Sequence, residues 1–310
     1  MDRLSEIETF IEIARAGSIS GAAGRLNVAK SAVSRRLSDL EARLGVQLFN
    51  RTTRRISLTD AGTTFLQRAQ GVMDDLAEAE AEAGAAQTAL TGRLKIASAL
   101  SFGLKHLQPV LSKFAKRHPG LDIEVDFSDR RVDLIEEGFD AAVRIGTLAD
   151  SSLIARKLCP IRHMAVAAPE FWRVHGAPAH PRDLEGLPCV RYSNLVRPEI
   201  ISYWGPKGET GTITADIKML ANNGEFLTQM AVDGHGYIVE PSFFLYEHFC
   251  EDRLAAALCD YAWSAMNLYV VYPPTRRVSA RVRAFIDILV ETFGDNPYWD
   301  NHQYWEDRAD

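Results

Sequence analysis

Val33, Leu37, Leu40 and Leu44 recur at steps of four, three and four. That spacing places them on one narrow stripe of a helix and turns Ser31, Ser34, Arg35 and Ser38 to the opposite side. A helix with one apolar stripe needs an apolar surface to lie on, so this segment belongs to a small packed unit. The flanking residues supply that unit. Leu4, Ile7, Phe10, Ile11 and Ala14 mark a first helix, which Gly17 ends. Ser20 to Leu26 forms a short second helix whose Ala and Gly residues permit close contact. Asn27 and Val28 make the turn, with Asn27 placed to help cap the helix that follows. Gly45 stops that third helix as a left-handed closing residue. Gln47–Phe49 and Ile56–Leu58 read as two short strands, joined by the basic loop Asn50-Arg-Thr-Thr-Arg-Arg55.

Charge is concentrated in the same place. Residues 1–71 hold eleven Lys/Arg against seven Asp/Glu, a net of +4, within a chain of formal charge −6. Such asymmetry points to a polyanion-binding end attached to something else, and the local field at a docking face matters more than the overall charge. Hydroxyls and guanidinium groups hydrogen-bond base edges and phosphates. Double-stranded DNA is therefore the expected partner. The candidate contacts are Lys30, Ser31, Ser34, Arg35 and Ser38 on the helix, with Arg51, Arg54 and Arg55 on the wing. A solvated charge run is the bland alternative for any basic helix. Turn spacing, polar face and basic wing together favour DNA.

Phe10, Gly17-Ser18, Ala22-Ala23, Leu26, Ala32-Val33-Ser34, Leu40-Glu41, Leu44-Gly45, Leu48-Phe49, Arg51 and Leu58-Thr59-x-Ala-Gly62 resemble the LysR-type transcriptional regulators. The resemblance covers the whole N-terminal unit. It implies a winged helix-turn-helix, and homodimers or homotetramers paired through a linker helix. The chain departs from the pattern at Ala29, where such proteins usually carry a Ser or Thr whose hydroxyl caps the recognition helix.

Thr59 is placed to cap a helix running to about Leu90. Leu66, Ala69, Met73, Leu76, Ala83 and Leu90 largely follow a 3-4 seam that Glu80 and Gln87 interrupt. Its alanines offer little buried area, so alone it would be a weak coiled coil. From Thr91-Gly92 strands alternate with helices, which argues for an α/β sheet. The expected strands are Arg93–Ser98, Leu121–Phe127, Ala141–Ile145, Leu153–Leu158, His163–Ala168, Ile213–Leu220, Gly234–Val239 and Asn267–Tyr272. The expected helices are Gly103–Arg117, Val132–Glu137, Glu225–Val232 and Val282–Phe293.

The organisation expected is a winged helix-turn-helix over 1–59 and a linker helix over 60–91. A first lobe follows over 92–162 and 267–294, a second over 163–266, and an acidic aromatic tail over 295–310. Two lobes joined by two crossovers resemble a periplasmic binding protein, with the pocket in the cleft.

Ser98-Ala-Leu-Ser-Phe-Gly103 lies where a strand meets a helix, the usual ligand position in such folds. Ser101 is placed to cap that helix. The segments Ser128–Leu134, Gly138–Gly146, Asn222–Leu227 and Gly234–Pro241 resemble the family's effector-binding subdomains. Candidate effector contacts are Ser98, Ser101, Phe102, Ser128, Arg144 and Asn223. Arg144 has two readings, a carboxylate partner or an ion pair to Asp140 or Asp150. Tyr203 and Trp204 read as core cover, with a ligand wall as the alternative, and His235 reads as a turn residue.

Cys159, Cys189, Cys250 and Cys259 lack CxxC spacing and read as structural thiols of a reducing cytoplasm. No run of 18 apolar residues offers a membrane span, and the N-terminus lacks signal-peptide character. GxSxG, HExxH, Walker A and post-strand GxGxxG motifs are missing, so neither a cofactor nor a catalytic set is expected. The alternative function is a small-molecule-binding or enzymatic α/β domain carrying a helical head that does not bind DNA.

Overall fold

The computed structural model describes residues 2–51, 56–83, 90–128, 130, 132–147, 152–274, 278–294 and 296–301. Three helices open the chain: α1 (Arg3–Ala16), α2 (Ile19–Leu26) and α3 (Lys30–Leu44). Gly17 and Gly45 close α1 and α3 in the left-handed region, at φ 63° and 69°. Ser18 caps α2 by accepting from the Gly21 amide at 3.0 Å. Asn27 corrects the expectation made for it. It sits at φ 53° as the closing residue of α2 and does not cap α3. The expected gap at Ala29 is found: α3 begins with no side-chain cap. Ala29→Ser is therefore expected to raise stability by about 1 kcal/mol, read as a shift in the urea midpoint of the full chain.

Val33, Leu37 and Leu40 are fully buried against Phe10, Ile13, Ala22 and Phe49. Leu44 leaves the stripe and is 37% exposed, because α3 ends there and its last turn overhangs the core. The wing pairs β1 (Phe49–Arg51) antiparallel with β2 (Ile56–Leu58). The first wing strand was expected two residues earlier. Instead, Glu41 accepts the Leu48 and Phe49 amides at 2.9 and 3.3 Å and so holds Leu48 on α3.

Thr59 caps the linker helix α4 (Asp60–Ala83), accepting from the Gly62 amide at 2.9 Å. A Cβ on Gly62 would lie 2.0 Å from the Leu48 carbonyl, so only glycine lets α4 seat on the wing. Phe65, Leu66, Ala69 and Met73 pack on the head's core, so the first turns of the seam serve the head itself. The expected continuation through Gln87 lies outside the described residues.

The first lobe is a five-stranded sheet in the order β4-β3-β5-β14-β6, β14 being the crossover strand Met266–Tyr272. Its strands are β3 (Thr91–Ser98), β4 (Gly120–Phe127), β5 (Ala141–Gly146) and β6 (Ile154–Ile161). β3 runs parallel to β4 and β5. A last strand, Met266–Tyr272, returns from the second lobe to pair antiparallel with β5 and β6. The expected helix after β3 has three parts: α5 (Leu100–Phe102), a π-helical turn at Gly103–Leu107, and α6 (Gln108–Arg117). The expected helix Val132–Glu137 is a turn. Asp133 accepts the Ile135 and Glu136 amides, an arrangement that competes with helix in so short a run.

The second lobe is built from β7 (His163–Ala167), α7 (Pro169–His175), β8 (Pro188–Tyr192), β9 (Ile200–Trp204), β10 (Thr210–Thr214) and β11 (Asp216–Ala221). α8 (Gly224–Val232), β12 (Ile238–Pro241), α9 (Ser242–Cys250) and β13 (Ala255–Ala257) complete it. β12 and β13 flank β7, β8 pairs parallel with β11, and β9 pairs with β10. The single strand expected over Ile213–Leu220 is two strands that part at Ala215. Its two halves pair with different neighbours, which alternation along one stretch does not reveal. The expected strand Gly234–Val239 begins only at Ile238, and exposed His235 lies in the turn before it.

The crossover strand is β14 (Met266–Tyr272), and α10 (Ala280–Phe293) closes the first lobe with Phe285, Leu289 and Phe293 buried. The described residues 296–301 of the tail pack on the chain itself. Trp299 is fully buried, against Phe102, His106 and Phe293 of the first lobe and Phe243 at the start of α9. Tyr304 and Trp305 lie outside the described residues. All four cysteines are free thiols. Among the described residues no helix is long and apolar enough to cross a membrane.

Candidate nucleic-acid interface and ligand cleft

The buried stripe of α3 decides which way its polar face points. With Val33, Leu37 and Leu40 inward, Lys30, Ser31, Arg35 and Ser38 are exposed, and Ser34 is half-buried beside them. The Arg35 side chain is 77% exposed, with only a 3.9 Å approach to Asp39. Its guanidinium is thus available to an incoming acceptor. Four other arginines of the head are engaged in structure. Arg43 donates to buried Glu6 at 2.8 and 3.2 Å, and Arg36 donates to Thr9 at 3.4 Å. Arg15 and Arg25 both approach Glu12. Arg51 ends β1. Its side chain, and all of Arg54 and Arg55, fall outside the described residues.

The lobes enclose a cleft of about 1080 Å³. Five of the six expected effector residues line it: Ser98, Ser101, Phe102, Ser128 and Arg144. Ser101 is inside α5 and does not cap it; the capping position is Ala99, which makes no side-chain bond. Asn223 stands at the rim between the lining residues Asn222 and Gly224. Its Oδ1 caps α8 by accepting from the Phe226 amide at 2.9 Å, and its Nδ2 donates to Ser101 Oγ at 3.3 Å. That bond joins the two lobes. Arg144 donates to the Val132 carbonyl at 2.6 Å. Asp140, one partner expected for Arg144, instead accepts the Lys95 amide at 2.8 Å and faces Arg281 at 3.6 Å. Asp150 lies outside the described residues. Tyr203 is buried as core, whereas Trp204 is 43% exposed and lines the cleft.

Sequence reading missed two charged residues of the cleft wall. Arg191 on β8 and Glu240 on β12 are each 5% exposed and line the cleft. Burial pushes the Glu240 carboxyl up to about 8, against the opposing pull of Arg191. Each is a lone charge inside an apolar run, Cys-Val-Arg-Tyr and Tyr-Ile-Val-Glu-Pro, and that was the available signal. His163 also lines the cleft, and its Nδ1 has no hydrogen-bond partner.

A winged helix-turn-helix tied by a long helix to a two-lobed α/β unit defines a DNA-binding regulator with a small-molecule domain. Residues 4–63 match the bacterial regulatory helix-turn-helix proteins of the lysR family, and residues 87–294 match the LysR substrate binding domain. The chain is 33% identical to the transcriptional regulator CrgA of Neisseria meningitidis, over 94% of this chain and 97% of that protein. It is 32% identical to the regulator DmlR of Escherichia coli, over 94% of this chain and 95% of that protein. The CrgA structure superposes with a TM-score of 0.59, over 93% of this chain and 97% of that chain. Full-length AphB, the Vibrio cholerae virulence activator, gives the same score over 94% of this chain and 100% of that chain; at 24% identity its likeness concerns the fold. The chain belongs to the LysR-type transcriptional regulator family. It is a DNA-binding regulator with an effector-binding domain, and not an enzyme.

Proposed function

We propose that the chain works in the cytoplasm as a homodimer or homotetramer whose recognition helices enter successive major grooves of a two-fold-related site. The observation that carries this reading is the exposed face of α3, where Lys30, Ser31, Arg35 and Ser38 stand opposite a fully buried stripe. Ser34 completes that face. Arg51, Arg54 and Arg55 fix the wing on the phosphate backbone.

A small molecule enters the cleft among Ser98, Ser101, Phe102, Ser128 and Arg144, next to the rim bond from Asn223. By binding one arrangement of the lobes better than another, it shifts their balance. The route to the head is supported by a contact between α4 and the first lobe: Arg93 donates to Gln70 at 3.1 Å. Altered lobe geometry then changes the spacing of paired heads.

The test is retention of DNA from upstream of the chain's own gene across a salt series. Binding should weaken steeply with salt, and Arg54→Ala should lower the slope of log K against log salt by about one. Salt-independent retention, or an unchanged slope in the variant, would remove the wing from the interface.

A further inference from the structure

We propose that the effector is a small zwitterion, carrying a cationic nitrogen and a carboxylate on one skeleton, as an amino acid or a betaine does. The carboxylate binds Arg191 and the cationic nitrogen binds Glu240. This rests on the cleft reading above and adds the chemical class of the ligand.

Arg191 and Glu240 sit on strands held side by side, where the Val190 amide donates to the Tyr237 carbonyl at 3.0 Å. Both are 5% exposed, and both line the cleft. They nevertheless do not form an ion pair with each other. Arg191 uses its Nε on the Pro198 carbonyl at 3.0 Å and has no carboxylate partner among the described residues. The Glu240 carboxyl makes no hydrogen bond or ion pair among the described residues, and Arg191 acts on it only through space. Burying a charge without a partner is strongly unfavourable. A basic and an acidic group left unpaired by each other on one cleft wall mark a candidate ligand site.

The chemistry of the ligand follows from that gap. A carboxylate-only ligand on Arg191 leaves the buried Glu240 carboxyl without a hydrogen-bond partner. A cation on Glu240 leaves Arg191 without a carboxylate. A molecule with both charges closes both, and the planar guanidinium suits a carboxylate held by two parallel bonds. Burial holds Glu240 largely protonated at neutral pH, and an ammonium beside it favours its ionised form.

The test uses the full chain and isothermal titration calorimetry. The probes are the common L-amino acids and glycine betaine, compared with acetate, benzoate and methylammonium. At least one zwitterion should bind, and Glu240→Gln should weaken it tenfold or more. Arg191→Gln should do the same, with thermal melting of both variants confirming that they fold. Two results overturn the proposal: no zwitterion binds, or a zwitterion binds equally well to Glu240→Gln. If a carboxylate-only probe binds instead, indifferent to Glu240→Gln but weakened by Asn223→Ala, the zwitterion fails while the cleft stands. Binding that ignores Glu240→Gln, Arg191→Gln and Asn223→Ala alike overturns both.

Discussion

Replacing Trp299 with alanine is expected to destabilise the chain by about 3–5 kcal/mol, the largest effect of any single substitution proposed for it. The indole is completely buried and touches four aromatic rings besides Tyr298, with centroid separations from 4.8 Å to His106 to 6.3 Å to Phe243. Its removal leaves a cavity that these rings fill only in part. It also frees Tyr298, whose hydroxyl lies 2.6 Å from His106 Nδ1. The Phe243 carbonyl, 3.1 Å from Nε2, can only accept, so Nε2 carries the proton and Nδ1 accepts from Tyr298.

Acid provides a second readout. Burial drives His106 down to about 4 from its ordinary 6.5. The unfolded chain therefore takes up the proton first, and stability falls as the pH drops from 6.5 toward 4. His163, also held near 4 by burial, contributes in the same direction. Trp299→Ala hydrates His106 and should make this fall shallower, leaving the share from His163. Urea unfolding of both proteins at several pH values measures it. A loss below 1 kcal/mol with an unchanged pH slope would show that the tail is not part of the first lobe's core.

Arg35→Ala is expected to weaken specific DNA binding by about 1–3 kcal/mol, roughly fivefold to 150-fold. Stability should stay unchanged, because the side chain is 77% exposed and its approach to Asp39 is long. Competition binding against unrelated DNA separates the two contributions to affinity. Loss of a base contact lowers the specific constant and leaves the non-specific one nearly intact, whereas loss of a phosphate contact lowers both. Arg173→Ala is the control, since Arg173 lies on α7 of the second lobe and pairs with Glu170 beside it. Equal specific binding by Arg35→Ala and the parent would take Arg35 out of the reading face.

The head was legible because its contacts are close in sequence. Stripe residues three and four apart, the glycines closing α1 and α3 and a cap at Thr59 all act within a few residues, and the fold keeps them. Where local reading failed there, a neighbouring group intervened. Asn27 closes the helix before it, and Glu41 takes the amides that an earlier wing strand would have used. Ser101 was found in the cleft but in another role, because Ala99 holds the capping position. The Val132–Glu137 helix was lost to a side chain that accepts backbone amides, a competition that apolar periodicity does not register.

The amino-acid sequence by itself determined that this is a LysR-type chain with a basic head, a linker helix and an α/β sensor. Periodicity, turn chemistry and charge are properties of single elements, and these are strong here. The tertiary structure alone decided which distant elements meet. It set Asn223 against Ser101 across the cleft, put Arg191 beside Glu240 on one wall, and drove Trp299 behind Phe102. Sequence spacing reports that a residue is buried along its own helix or strand. It does not report what it is buried against, because that depends on how separate elements pack to exclude water from a shared core.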